Sequence, residues 1–336
     1  MKVFFHPDQR LHTLETLIDD GKLGVYQEIP ERIDSIIKAL TSDKNYQIVQ
    51  PELIGLDILA KVHTADYLAM LSNSPNWIKN EEIDTPTIFR YDTRLPYRPI
   101  LDYEHVSQYS FDGTTGIMDK TWPSALASAS SAYAACQNVQ KTGETTYALC
   151  RPPGHHAAEN RFGGYCYLNN QAVCIKDLIE KGFKVLDVDI DTHHGNGTQS
   201  IFYDNPNVYT ISFHGDPAWN YPYIMGYADE IGIGAGKGTN KNVTYAKGFD
   251  PDKFIQLVMD NVLATKKTFK ADYLVISAGF DTEANDPEGT LNLTSDHYKK
   301  LGIFFKSLGL PTLIMQEGGY ALVDLGDNVK AFLDQF

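Results

Sequence analysis

The chain has 336 residues, with 43 acidic against 29 basic side chains and a formal net charge of −14. That length holds one large α/β domain with a sizeable core. The acidic balance excludes a basic nucleic-acid-binding face, and no apolar run approaches the ~20 residues of a membrane span.

From the N-terminus, Met1-Lys-Val-Phe-Phe-His6 has too short an apolar stretch for a signal peptide. The segment from Ser72 to Gly113 follows, with scattered prolines, tyrosines and charges and little periodicity. A stretch of that kind inside a domain is usually functional or interfacial. An Ala-rich helical pattern runs over 125–141, then a strand over 146–151, a helix over 170–181, strands over 184–190 and 208–213, and a helix over 254–270. A strand over 273–278, a helix over 298–308 and a strand over 312–316 complete the series. The glycine-rich run 232–238 fails the phosphate-loop pattern and reads as a flexible loop. Continuous apolar strands alternating with helices imply one domain over 1–336, with a mostly parallel sheet covered by helices on both faces. Cys136, Cys150, Cys166 and Cys174 lack metal-knuckle spacing, which fits reduced core thiols in a cytoplasmic protein.

The chemistry concentrates after the strands. Asp189-Ile-Asp191-Thr-His193-His194-Gly-Asn196 contains an Asp-x-His unit, whose two side chains, two apart in a strand, point to the same face and can reach one ion. Asp281 closes the strand over 273–278 and supplies a third ligand. Two carboxylates and an imidazole leave a position open for water, as a catalytic metal requires. Zinc is the default ion, and Fe(2+) or Co(2+) suit the same ligands. Arg151-Pro-Pro-Gly-His155-His156 presents two imidazoles that titrate near neutrality, so one of them can move a proton between water and a leaving amine. Tyr320, after Glu317-Gly-Gly, places a phenol where it can donate to a developing oxyanion. Together these residues point to a metal-dependent hydrolase.

The same stretches resemble a known family. Val62-His-Thr-Ala-Asp-Tyr-Leu68, Arg151–His156, Phe162-Gly-Gly-Tyr-Cys-Tyr-Leu-Asn169, Asp189–Gln199, Ser212-Phe-His214, Ser277-Ala-Gly-Phe-Asp281, Asn292-Leu-Thr294 and Glu317–Tyr320 are similar to the zinc-dependent histone deacetylase superfamily. Within it they are closest in kind to the bacterial acetylpolyamine amidohydrolase branch. The resemblance implies an arginase-like three-layer α-β-α fold and hydrolysis of N-acetylated polyamines, with acetyl-lysine in proteins as the alternative substrate. It implies zinc on Asp191, His193 and Asp281, His156 as general base with His155 as electrostatic partner, and Asp189 and Asn196 orienting the pair. A potassium ion would fall near Asp189, Ser212 and Phe213. Tyr165 and Tyr221 match the aromatic walls of the acyl tunnel. The segment 72–113 matches an insertion that forms a homodimer interface and narrows the entrance, where Asp102 and Glu104 would meet a cationic acetylated amine. Leu17 stands where an acidic residue is expected near that entrance, with Glu15 as its nearest substitute.

Overall fold

Alternate residues of the central strands pack to opposite sides of one sheet, as the two-residue strand repeat demands. Leu274, Ile276 and Ile314 enter one apolar layer, and Val275, Leu313 and Met315 enter the other. The computed structural model describes residues 1–19, 22–42, 44–78, 83–86, 88–90 and 106–336. Its strands are β1 (Lys2–Phe4), β2 (Thr16–Asp19), β3 (Lys22–Val25), β4 (Gln47–Val49), β5 (Thr146–Ala148), β6 (Val185–Asp189), β7 (Val208–Gly215), β8 (Asn240–Tyr245), β9 (Tyr273–Ala278) and β10 (Thr312–Gln316). Eight of them form a parallel sheet in the order β4-β1-β5-β10-β9-β6-β7-β8, and β2 and β3 make a separate antiparallel hairpin.

Helices Glu31–Leu40, Pro251–Thr268, Ser295–Ser307 and Leu322–Leu333 cover one face. Helices Ala65–Trp77, Thr121–Thr142 and Asn170–Glu180 cover the other. The expected three-layer α-β-α arrangement is therefore present. Local signals set several boundaries. Asp250 caps the Lys253 N–H and Pro251 occupies the first turn, so that helix starts three residues before the expected position. Gly143, at φ 71°, ends the Ala-rich helix in the left-handed conformation.

One expectation needs correction and a second is refined in detail. The segment beginning at Ser72 starts inside a helix, because Ala65–Trp77 carries the buried residues Leu68, Leu71 and Ser74. The run 232–238 is a tight turn with a short 3-10 segment at Gly234–Gly236, bonded from the Gly238 N–H to the Ile231 carbonyl at 2.6 Å. No helix among the described residues is long and apolar enough to cross a membrane.

Candidate active site

The four strands β5, β10, β9 and β6 are consecutive neighbours in the sheet, and the loops leaving their C-terminal ends converge. Such loops are where an open α/β sheet places ligands. β5 leads to His155 and His156, β10 to Tyr320, β9 to Asp281, and β6 to Asp191 and His193.

The strand pleat does not bring Asp191 and His193 together, because β6 ends at Asp189. The chain turns instead, and the His193 N–H donates to Asp191 Oδ1 at 2.9 Å. His193 Nδ1 then lies 3.2 Å from Asp191 Oδ1 and 3.3 Å from Asp281 Oδ2. The other oxygen of each carboxylate is held by backbone: Gly318 N–H donates to Asp191 Oδ2 at 2.8 Å, and Thr192 N–H to Asp281 Oδ1 at 2.9 Å. Asp281 Oδ2 is buried with no hydrogen-bond donor. A buried carboxylate oxygen without a partner calls for a proton or an ion. Burial, followed by the charge of Asp191, pushes the Asp281 carboxyl well above its usual range. Three donor atoms within 4.8 Å of one another, one of them orphaned, suit a divalent cation on Asp191, His193 and Asp281. Gly318 is required there, since a Cβ would stand 2.2 Å from Asp281 Oδ2.

Adjacent His155 and His156, with ring centroids 4.0 Å apart, occupy opposite electrostatic environments. His155 Nδ1 donates to Asp189 Oδ2 at 2.9 Å. Burial alone would lower its pKa, but Asp189 and Asp191 outweigh it and raise the group to about 10. His156 Nδ1 donates to the neutral Asn196 Oδ1 at 2.6 Å. Burial, then the charges of His155 and His193, hold it well below its usual value. Asp189 and Asp191 thus favour the charged form of His155, whereas burial favours the neutral form of His156.

Burial keeps the Tyr320 phenol protonated, its pKa well above 10. Residues that sequence reasoning missed fix its glycine-rich loop. Arg32, stacked 4.7 Å from the Tyr320 ring centre, donates to the carbonyls of Glu317 and Gly319, each at 2.6 Å. Asp286 accepts from the Tyr320 N–H at 2.5 Å and the Ala321 N–H at 3.0 Å. Arg32 in turn shares buried Glu28 with Arg151, at 2.7 and 2.9 Å.

A cavity of about 190 Å³ reaches this cluster, and Tyr165 and Tyr221 both line it. Tyr165 has φ 65°, a costly conformation for a residue with a Cβ, and its N–H donates to Thr115 Oγ1. Asp112, also missed, accepts from the Tyr221 hydroxyl at 2.8 Å and the Gly164 N–H at 2.6 Å. Asp191 and Glu288 are the acidic residues among the described lining, with half-buried Glu288 on the lip formed by residues 287–289. Asp-Pro-Glu-Gly over 286–289 reads locally as a turn, which is why Glu288 drew no notice.

Asp102 and Glu104 lie outside the described residues. Leu17 is buried with Leu14, Tyr26 and Met118 beneath Tyr165, and Glu15 is exposed. Neither lines the cavity. Ser212 pairs with Asp189 across β6 and β7, and both border a separate buried cavity of about 10 Å³. Phe213 is fully buried beside Ser212.

Residues 26–336 match the model of the histone deacetylase domain. The chain is 36% identical to an acetylpolyamine amidohydrolase of Burkholderia pseudomallei over 340 residues, covering 100% of this chain and 98% of that one. It is 37% identical to acetylpolyamine amidohydrolase 1 of Pseudomonas aeruginosa over 338 residues, covering 99% and 97%. The crystal structure of acetylpolyamine aminohydrolase from Burkholderia pseudomallei superposes with a TM-score of 0.94 at 35% identity, over 100% of this chain and 98% of that chain.

Proposed function

Since the chain belongs to the histone deacetylase family, whose full-length relatives here are amide hydrolases, we propose that it hydrolyses the acetamide of small N-acetylated polyamines. The observation that carries this reading is the cavity itself. It holds about 190 Å³, is walled by Tyr165 and Tyr221 and, among the described residues, bears one carboxylate, Glu288, apart from the ion-binding cluster. Aromatic walls suit a methylene chain, and an anionic lip suits a distal ammonium.

Asp191, His193 and Asp281 would hold one divalent ion, zinc by its preference for this donor set. When bound, the ion supplies Lewis acidity, polarising the acetyl carbonyl and acidifying water. His156, neutral and held by Asn196, takes a proton from the attacking water. Tyr320 donates its hydroxyl to the carbonyl oxygen as negative charge develops there. His155, positive beside Asp189, stabilises that charge. When the carbon–nitrogen bond breaks, His156 returns the proton to the departing amine, leaving acetate and free amine. A structural potassium ion beside Asp189, Ser212 and Phe213, and a homodimer built on residues 72–113, belong to the same proposal.

The test compares kcat/KM for acetylputrescine and for an acetyl-lysine site on a folded protein, in the native chain and in Glu288→Gln. The small amine should be preferred. Removing the lip charge should raise its KM about 10- to 100-fold, the worth of a charge-assisted contact. Equal kcat/KM for both substrates would favour the protein-deacetylase reading.

A further inference from the structure

A second convergence of donor atoms shares His155 with the catalytic cluster and adds Cys166 and Glu317, which the reaction does not use. His155, Cys166 and Glu317 each offer one ligand atom, and these atoms lie within 4.8 Å of one another. None of the three residues is more than 2% exposed. Donor atoms around one zinc ion stand about 3–4 Å apart, so modest closure would complete a shell.

Each donor is braced by a partner, which for His155 and Glu317 leaves a second atom available. His155 donates its Nδ1 hydrogen to Asp189, which leaves Nε2 as its available ligand atom. That carboxylate–imidazole arrangement is the one that orients metal-binding histidines. Glu317 Oε2 accepts the N–H groups of Gly154 and His155, at 2.7 and 3.1 Å. Its Oε1 is buried with no hydrogen-bond partner, the kind of orphan that an ion explains. The Cys166 thiol donates to the Gly164 carbonyl at 3.3 Å and is not in a disulfide.

We propose that His155, Cys166 and Glu317 form a second site for one divalent cation of the zinc class, and that its occupation inhibits the enzyme. An ion reaches it through the cavity that His155 lines. It fills after the catalytic site, because coordination here releases two protons to solvent, one from the Cys166 thiol and one from His155 Nε2. Occupation takes His155 Nε2 away from the reacting carbonyl. It also sets a cation against Asp191, whose Oδ1 lies 3.9 Å from His155 Nε2. The inhibitory consequence rests on the role proposed for His155, whereas the site itself does not.

Cobalt separates these points. Enzyme loaded with one equivalent of Co(2+), held by two carboxylates and an imidazole, should show no thiolate-to-metal charge transfer. A second equivalent should produce that near-ultraviolet band as turnover falls. Cys166→Ser should keep the first ion and its basal turnover and lose the band. It should also need at least about 10-fold more Zn(2+) for half-inhibition, the usual scale for losing a supporting metal contact. Glu317→Gln, which keeps an acceptor for the Gly154 N–H, is the second variant and should weaken the band at stoichiometric cobalt. Excess cobalt giving no thiolate band in the native enzyme overturns the site. Equal zinc inhibition of the native enzyme and Cys166→Ser overturns its inhibitory role. The spectrum needs no substrate, so failure of the polyamine reading leaves it intact.

Discussion

Asn196→Asp should move the acid limb of the pH–rate profile upward. In the native enzyme Asn196 Oδ1 sits 2.6 Å from His156 Nδ1 and carries no charge. The neighbouring His155 shows what a carboxylate does in the same surroundings, since Asp189 at 2.9 Å helps raise it to about 10. A unit charge about 4 Å from the imidazolium is worth about 4 kcal/mol at an effective dielectric of about 20, an upper limit of about 3 pKa units. An opposite charge at this range typically delivers about 1–3 units. The sign follows from the role. His156 must be neutral to accept a proton, and its lowered pKa keeps it neutral through the working range. Raising that pKa leaves it protonated at higher pH, so kcat/KM falls earlier on acidification, by the same number of units. The assay is amine release from acetylputrescine across about pH 5–9, with circular dichroism to confirm folding. A folded variant whose acid limb is unmoved, or moves down, would refute His156 as the base.

Tyr320→Phe should fold normally and lose about 10²–10³ in kcat, as loss of an oxyanion donor does; near-native turnover would remove Tyr320 from the reaction. Gly318→Ala puts a Cβ 2.2 Å from Asp281 Oδ2 and 2.6 Å from Asp191 Oδ2, so metal retention on dialysis should drop at least about 10-fold; unchanged retention would mean that these carboxylates do not hold the ion. Buried His63 accepts the Asn169 N–H on Nε2 and has its pKa lowered by burial to about 4. Its stabilising share is complete above about pH 6.5 and is lost as pH falls from there towards about 4, about 3 kcal/mol in all. Denaturant melts of the native chain and of His63→Gln over that window should differ in slope, and parallel curves would contradict the assignment.

The central strands were legible because burial on both faces writes continuous apolar runs, as in Val185–Asp189 and Tyr273–Ala278. β8 was not, because Asn-Lys-Asn-Val-Thr-Tyr belongs to an edge strand with half its residues only partly buried. β1 and β4, three residues each, are too short to show a period. Asp191, His193, Asp281, His155, His156 and Tyr320 were readable because their chemistry is concentrated in short motifs at strand ends. Arg32, Asp112 and Asp286 were not, because each acts on backbone or side chains far away in sequence. Arg32 reaches a carbonyl 285 residues distant, and nothing near it marks that partner.

The Arg32 clamp also bears on how an active molecule is made. Its two acceptors, the Glu317 and Gly319 carbonyls, lie just before Tyr320, and helix Glu31–Leu40, which carries Arg32, packs against helix Leu322–Leu333. The Tyr320 loop is thus tied to residues emerging from the ribosome early and late in synthesis. β10 joins the β4-β1-β5 and β9-β6-β7-β8 parts of the sheet, so under the proposed mechanism Tyr320 cannot be fixed as oxyanion donor until that strand has docked. Under the proposed mechanism a nick between Gln316 and Leu333 should abolish turnover, because it frees the Tyr320 loop from the strand and helix that anchor it.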